Sequence, residues 1–204
     1  MNEKMLSAKF STNWVSFPLQ AFPEDKLTWL FAPGSLTLKV KALGDYSLEV
    51  VDQRVAPADH FDAHALRLAA GSPVWTREVL MRINGVPCIA ARSVTGIHAL
   101  QGPWAELADY GQRPLGDLLH QHRLGPDAVT RMPFECAELS PGDPLSLLSR
   151  RFDTDSESLF ARRSAFVRRQ TPLLVSECFL QGFWRTVALL PSSTLQDSAE
   201  TGPI

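Results

Sequence analysis

Two arginines are spaced so that chemistry could rest on them. Residues 74–83 and 86–95 are strand-like runs flanking Asn84-Gly85, the dipeptide that most strongly favours a two-residue hairpin turn. Counting outward from that turn predicts that Ile83 faces Val86, Met81 faces Cys88, Val79 faces Ala90 and Arg77 faces Arg92, with the whole set on one side of the hairpin. That side is apolar apart from its two arginines. Two guanidinium groups opposite each other there repel and are costly to desolvate, and arginine does not shed its charge. An anion held between them resolves the conflict, and a planar fork suits a carboxylate. The alternative is that one arginine reaches the end of the sheet and pairs with a surface carboxylate. The residues alone leave both open.

A carboxylate stands in a second apolar run. In TPLLVSECFL (171–180), Glu177 shares a face with Leu173, Val175 and Phe179, so it is either paired or has its pKa raised by burial. Arg162 and Arg163 on the preceding strand are candidate structural partners, and the turn around 169–171 does not set a register. Two helix starts add backbone donors. Pro114 suits the first turn of a helix whose apolar pattern follows, with Leu115 in that turn, and Ser35 is a good cap for a helix opening at Leu36. Backbone N–H groups in a first turn lack helical partners and sit at the positive end of the dipole. Most such ends bind only water or a cap.

These residues need a frame to hold them. A chain of 204 residues suits one domain. The expected elements are a helix opened by Pro23 and stopped at Pro33-Gly34, a second helix from Ser35 to Gly44, a strand over 46–55, and a loop over 56–72. The hairpin follows, then helical stretches near 103–110 and 114–122. Strands are expected at 129–138, 159–168 and 172–181, with a Ser/Pro/Gly/Asp-rich excursion between about 140 and 157. That order argues for an α+β fold on an antiparallel sheet. Residues 1–22 are expected to form a loosely docked arm carrying Trp14 and Phe17, and residues 191–204 a disordered tail.

Composition narrows the classes of function. A formal charge of -2 gives no general drive toward nucleic acid, and the basic pairs Arg150-Arg151 and Arg168-Arg169 lack interleaved aromatics. The cysteines Cys88, Cys136 and Cys178 have no metal-type spacing and read as small buried hydrophobes in a reducing compartment. The start, MNEKMLSAKF, has no apolar signal region, and no run is long enough to span a bilayer. A cytoplasmic location is therefore expected. HFDAH (60–64) reads as a solvated loop rather than a metal site, His120 and His122 point different ways on a helix, and Ser164 lies in no nucleophile elbow. No glycine-rich phosphate loop is present.

The motifs WLFAPGSLT (29–37), VWTREVLMRINGVPCIAARSV (74–94), RPLGDLL (113–119), LFARRSAF (159–166) and TPLLVSECFL (171–180) stand in an order that resembles the bacterial chorismate pyruvate-lyase family over residues 23–181. The resemblance implies one lyase-like domain over 23–190, with a six-stranded antiparallel sheet and helical flaps over an internal ligand site. It implies conversion of chorismate to 4-hydroxybenzoate and pyruvate at the entry to ubiquinone head-group supply, with no metal or organic cofactor. It carries substrate binding onto Arg77, Leu36, Leu115 and Glu177, and catalysis onto Glu177 and Arg92. Leu36 stands where the family pattern has methionine, a small matter if only its backbone N–H is used. The expected partners are the small-molecule substrate and products, with no nucleic acid, no stable membrane insertion and a monomeric state. The alternative is a non-catalytic aromatic-acid-binding domain like the effector domains of GntR-type regulators, which follow a winged-helix module. Here only some 22 residues precede the first core helix.

Overall fold

A computed structural model describes residues 12–16, 22–121, 125 and 127–190. Phe17, His122 and the tail expected at 191–204 lie outside the described residues, as does most of the arm. Among the described residues seven strands form one antiparallel sheet: β1 (Tyr46–Pro57), β2 (Pro73–Ile83), β3 (Val86–Gly96), β4 (Thr130–Arg131), β5 (Glu135–Glu138), β6 (Phe160–Arg168) and β7 (Thr171–Phe179). The order is β1-β2-β3-β7-β6-β4, with β5 also pairing β6. The single strand expected over 129–138 is two short ones, parted around Pro133, which has no N–H for the ladder.

Six helices are described: α1 (Glu24–Leu30), α2 (Leu36–Lys41), α3 (His60–Leu66), α4 (Leu115–Gln121), α5 (Pro144–Arg150) and α6 (Gln181–Ala188). The Ser35 cap is present, its hydroxyl accepting from the Leu38 N–H. The stretch near 103–110 is 3-10 rather than α. Helices α3 and α5 fall where loops were expected. Each is one to two turns capped by an aspartate, Asp59 accepting from Asp62 N–H and Asp143 from Leu145 N–H. Pieces so short form through caps and packing rather than through a long apolar period.

The hairpin departs from the counted register. Asn84 and Gly85 both adopt positive φ, 50° and 78°, as the tight turn requires. Ile83 pairs with Val86 and Arg82 with Pro87, but Met81 then pairs with Ile89, leaving Cys88 as an extra residue in a β-bulge. Pro87 cannot donate to the ladder, and Gly182 at the start of α6 presses on it so closely that a Cβ there would lie 2.2 Å from the Pro87 carbonyl oxygen. One extra residue exchanges the faces of everything beyond it. Arg77 therefore faces Ser93, and Arg92 faces Glu78. The expectation that the two arginines share a face is corrected.

The front of the sheet carries two apolar clusters. One gathers Trp29, Leu30, Leu36, Val79, Met81, Phe179 and Phe183 under α1, α2 and α6. The other gathers Trp75, Trp104, Leu115, Leu118, Phe166 and Leu173 under α4 and the 3-10 turns. The back is covered by α5 over Leu80, Ala90 and Cys178 and by α3 over Val74, Val94 and Leu174. The three cysteines are buried and free, and burial pushes the Cys136 and Cys178 thiols up to about 12. No described helix is long and apolar enough to cross a membrane.

Candidate active site

Between the two front clusters lies a cavity whose floor is the sheet. Strand alternation aims Arg77 and Val79 from β2, Ala91 and Ser93 from β3, Val175 and Glu177 from β7, and Arg162 and Ser164 from β6 into one space. The helix starts at Leu36 and Leu115 form its roof. They meet at Gly116, where a Cβ would stand 2.7 Å from the Thr37 hydroxyl oxygen. Of the residues marked out beforehand, Arg77, Glu177, Leu36 and Leu115 line this cavity, and Arg92 does not.

Arg77 is only 1% exposed. One of its Nη atoms donates to the carbonyls of Gly111 at 2.8 Å and Arg113 at 3.1 Å, which holds the chain leading into α4 over the cavity. Its buried Nε has no hydrogen-bond partner, and no carboxylate lies within ion-pair distance among the described residues. Burial pulls this guanidinium below the ordinary arginine range, partly offset by Tyr110 and Tyr46. It stays protonated, because arginine keeps its charge in proteins. A buried cation lacking a counter-charge is expensive unless something brings one.

Glu177 faces Arg162 across the β6–β7 ladder. Arg162 Nε donates to a Glu177 carboxylate oxygen at 2.8 Å, and Arg162 Nη1 donates to the Ala32 carbonyl at 2.9 Å. Of the two partners open for Glu177 on the residues alone, it takes Arg162, while Arg163 turns to the other face and pairs with Glu135 at 2.8 Å.

Arg131 completes the charged lining. Its Nε donates to the Ser164 hydroxyl and its Nη1 to the Gly34 carbonyl, both at 3.0 Å. Burial lowers its pKa, as does the neighbouring Arg162, against a raising influence from Glu177. Nothing in the residues alone marked Arg131. Its strand is two residues long, and the β6–β7 turn that would reveal its neighbours is made by Arg169 and Gln170 at positive φ, without the Asn or Gly that announces such a turn. Among the described residues the cavity's charged side chains are thus three guanidiniums and one carboxylate, which leaves two of those positive charges uncompensated.

On the back of the sheet Arg92 forms a bidentate pair with Asp62, at 2.6 and 2.7 Å, with Glu78 at 3.5 Å. HFDAH is therefore a helix whose buried Asp62 closes that pair, which corrects its reading as a solvated loop. Among the described residues no cluster of His, Cys, Asp and Glu could hold a metal ion.

Comparisons with known proteins agree with this architecture. The chorismate lyase family model matches residues 12–188. A probable chorismate pyruvate-lyase 1 of Burkholderia pseudomallei is 49% identical over 85% of this chain and 92% of its own length. A protein of the same description from Pseudomonas fluorescens is 46% identical over the same shares, and a probable chorismate pyruvate-lyase of Bordetella avium is 43% identical over 79% of each chain. Among solved structures, the PhnF C-terminal domain aligns with a TM-score of 0.53 at 17% identity, over 73% of this chain and 89% of that one. PhnF from Mycobacterium smegmatis aligns at 0.51 and 14%, over 74% and 65%. At such identities these two show a shared fold. The chain belongs to the chorismate lyase family.

Proposed function

From that membership and the charge of the cavity, we propose that the protein is a lyase eliminating pyruvate from chorismate to give 4-hydroxybenzoate. The observation that carries the proposal is Arg77, buried with no ion-pair partner among the described residues, in a cavity whose described lining has two uncompensated positive charges. Chorismate is a dianion with a ring carboxylate, a ring hydroxyl and an enolpyruvyl ether, on a ring one elimination short of aromatic.

Arg77, with the first-turn amides of Leu36 and Leu115, is assigned to the ring carboxylate. Glu177 is assigned to the ring hydroxyl and is the candidate base. Loss of the ring C4 proton sends its electron pair into the ring as the C3–O bond breaks. The departing enolpyruvate then gains a proton to become pyruvate, so the products account for every atom of the substrate. Aromaticity supplies the driving force. The protein's share is to hold the reacting conformer, exclude water and steady the charge that moves to the departing oxygen. No metal or organic cofactor enters these steps. The role assigned beforehand to Arg92 is withdrawn, since its fork is closed on Asp62 behind the sheet. We assign the product to ubiquinone head-group supply and the protein to the cytoplasm.

Purified protein treated with a chelator and given chorismate should produce 4-hydroxybenzoate, seen in the ultraviolet, with equimolar pyruvate. Absence of both at any enzyme concentration overturns the assignment. Glu177→Gln separates proton transfer from binding: near-normal turnover removes Glu177 as an obligatory base.

A further inference from the structure

The reading of the cavity as a chorismate site leaves one of the substrate's two carboxylates without a partner. The geometry points to Arg131 as the residue that takes it, gripping the enolpyruvyl carboxylate while Arg77 holds the ring carboxylate. This inference rests on the proposed function, and four observations lead to it.

Arg92 and Arg162 are already engaged. Arg92 is on the far face of the sheet in its pair with Asp62. Arg162 spends its charge on Glu177 and an Nη on Ala32. Arg77 and Arg131 are the cavity guanidiniums with no ion pair among the described residues.

Arg131 is also pre-oriented. The Ser164 hydroxyl and the Gly34 carbonyl fix two of its nitrogens. Its guanidinium carbon lies 5.2 Å from the Phe134 ring centroid and 5.6 Å from that of Phe166. A fork held this way loses little rotamer freedom when a carboxylate arrives.

The local field asks for an anion. Arg162 repels Arg131, and Glu177, though near enough to be felt, is outside ion-pair distance and committed to Arg162. A second carboxylate beside Arg131 would relieve that repulsion.

The spacing suits one molecule bridging both residues. Between β2, which carries Arg77, and β4, which carries Arg131, lie β3, β7 and β6. At ~4.8 Å per strand that is roughly 19 Å between the two backbones, and the Arg131 fork reaches back over β6 to Ser164, so the gap between the two guanidiniums is narrower than that. A ring with carboxylates on different edges spans between them, its ether side toward Arg131. The same contact would hold the departing enolpyruvate as its C–O bond breaks.

The test compares ligands with one and two carboxylates. Isothermal titration would use 4-hydroxybenzoate and 3-(1-carboxyvinyloxy)-4-hydroxybenzoate, an aromatic diacid that keeps both carboxylates and the hydroxyl but has no ring proton to eliminate. Arg131→Ala should weaken the diacid on the order of 100-fold, the loss expected for a desolvated charge pair, and leave 4-hydroxybenzoate within about threefold. Arg77→Ala should weaken both. Arg131→Lys, which keeps the charge and loses the fork, should weaken the diacid about tenfold, and it serves if the alanine variant does not fold. Diacid affinity unchanged in the Arg131 variants overturns the assignment, and so does an equal loss of both ligands. Wild-type binding of the diacid without turnover of chorismate sinks the proposed reaction and leaves Arg131 in place. Normal kcat/KM for chorismate in Arg131→Ala does the reverse, and wild-type failure in both assays overturns both.

Discussion

Arg77 and Arg92 lie on neighbouring strands of one sheet and are both buried, yet they live under opposite electrostatic regimes. Behind the sheet, Arg92 is clasped in two parallel hydrogen bonds by Asp62, with Glu78 beside it. In front, Arg77 rests on two carbonyls and has no carboxylate within reach among the described residues. The chain supplies the counter-charge on one side and, on the proposed function, leaves it to a ligand on the other. Side-chain type and burial are the same in both cases, so neither separates a structural arginine from a ligand-binding one. The presence of a built-in anion does.

The largest effect that would sharpen this contrast is on stability. Asp62→Ala removes the bidentate partner and leaves Arg92 only the longer contacts to Glu78 at 3.5 Å and Asp59 at 4.0 Å; it should cost up to ~3–5 kcal/mol of folding free energy, read as a lowered urea midpoint. Replacing both partners by Asp62→Leu with Arg92→Met should recover most of that loss, because a packed apolar pair avoids desolvating two charges. If the double variant is as unstable as the single one, the pair does more than neutralise itself.

Arg77→Ala is the opposite case. It should lose ~2–5 kcal/mol of affinity for 4-hydroxybenzoate by titration, while the urea midpoint falls less than in Asp62→Ala, since the lost bonds to Gly111 and Arg113 are offset by removing an uncompensated buried charge. Destabilisation matching that of Asp62→Ala would erase the distinction between the faces.

A smaller effect is expected where the two roof helices touch. Gly116→Ala sets a Cβ against the Thr37 hydroxyl and should cost ~1–3 kcal/mol by overpacking. It should weaken ligand binding with it, as the starts of α2 and α4 move apart. Unchanged affinity would show that the roof is slack.

The smallest change tests an ion pair at the rim. Arg163 and Glu135 meet at 2.8 Å, but the Glu135 side chain is 36% exposed. Glu135→Gln should shift stability by no more than ~1 kcal/mol. A loss near that of Asp62→Ala would mean that burial is not what sets the two pairs apart.

Much of this arrangement was legible in the amino-acid order. Asn84-Gly85 located the hairpin, Ser35 and Pro114 marked the two helix starts, and Glu177 stood out among apolar neighbours. What resisted reading were places where a local rule is overridden from a distance. The bulge at Cys88 sits beside Pro87, against which Gly182 packs from nearly a hundred positions later in the chain. Asp62 sat in a Pro/Asp/His-rich stretch that resembled a loop, and its partner lies 30 residues away. Arg131 gave no signal, because a two-residue strand carries no periodicity.

The bulge at Cys88 also limits how the hairpin could be re-engineered. It works as a half-period phase shifter, converting odd alignment to even for the rest of β3. Removing or adding a single residue at that end would carry Arg92 toward the cavity and turn Ala91 and Ser93 away from it, exchanging the contents of the two faces. Length changes there should be tolerated only in pairs.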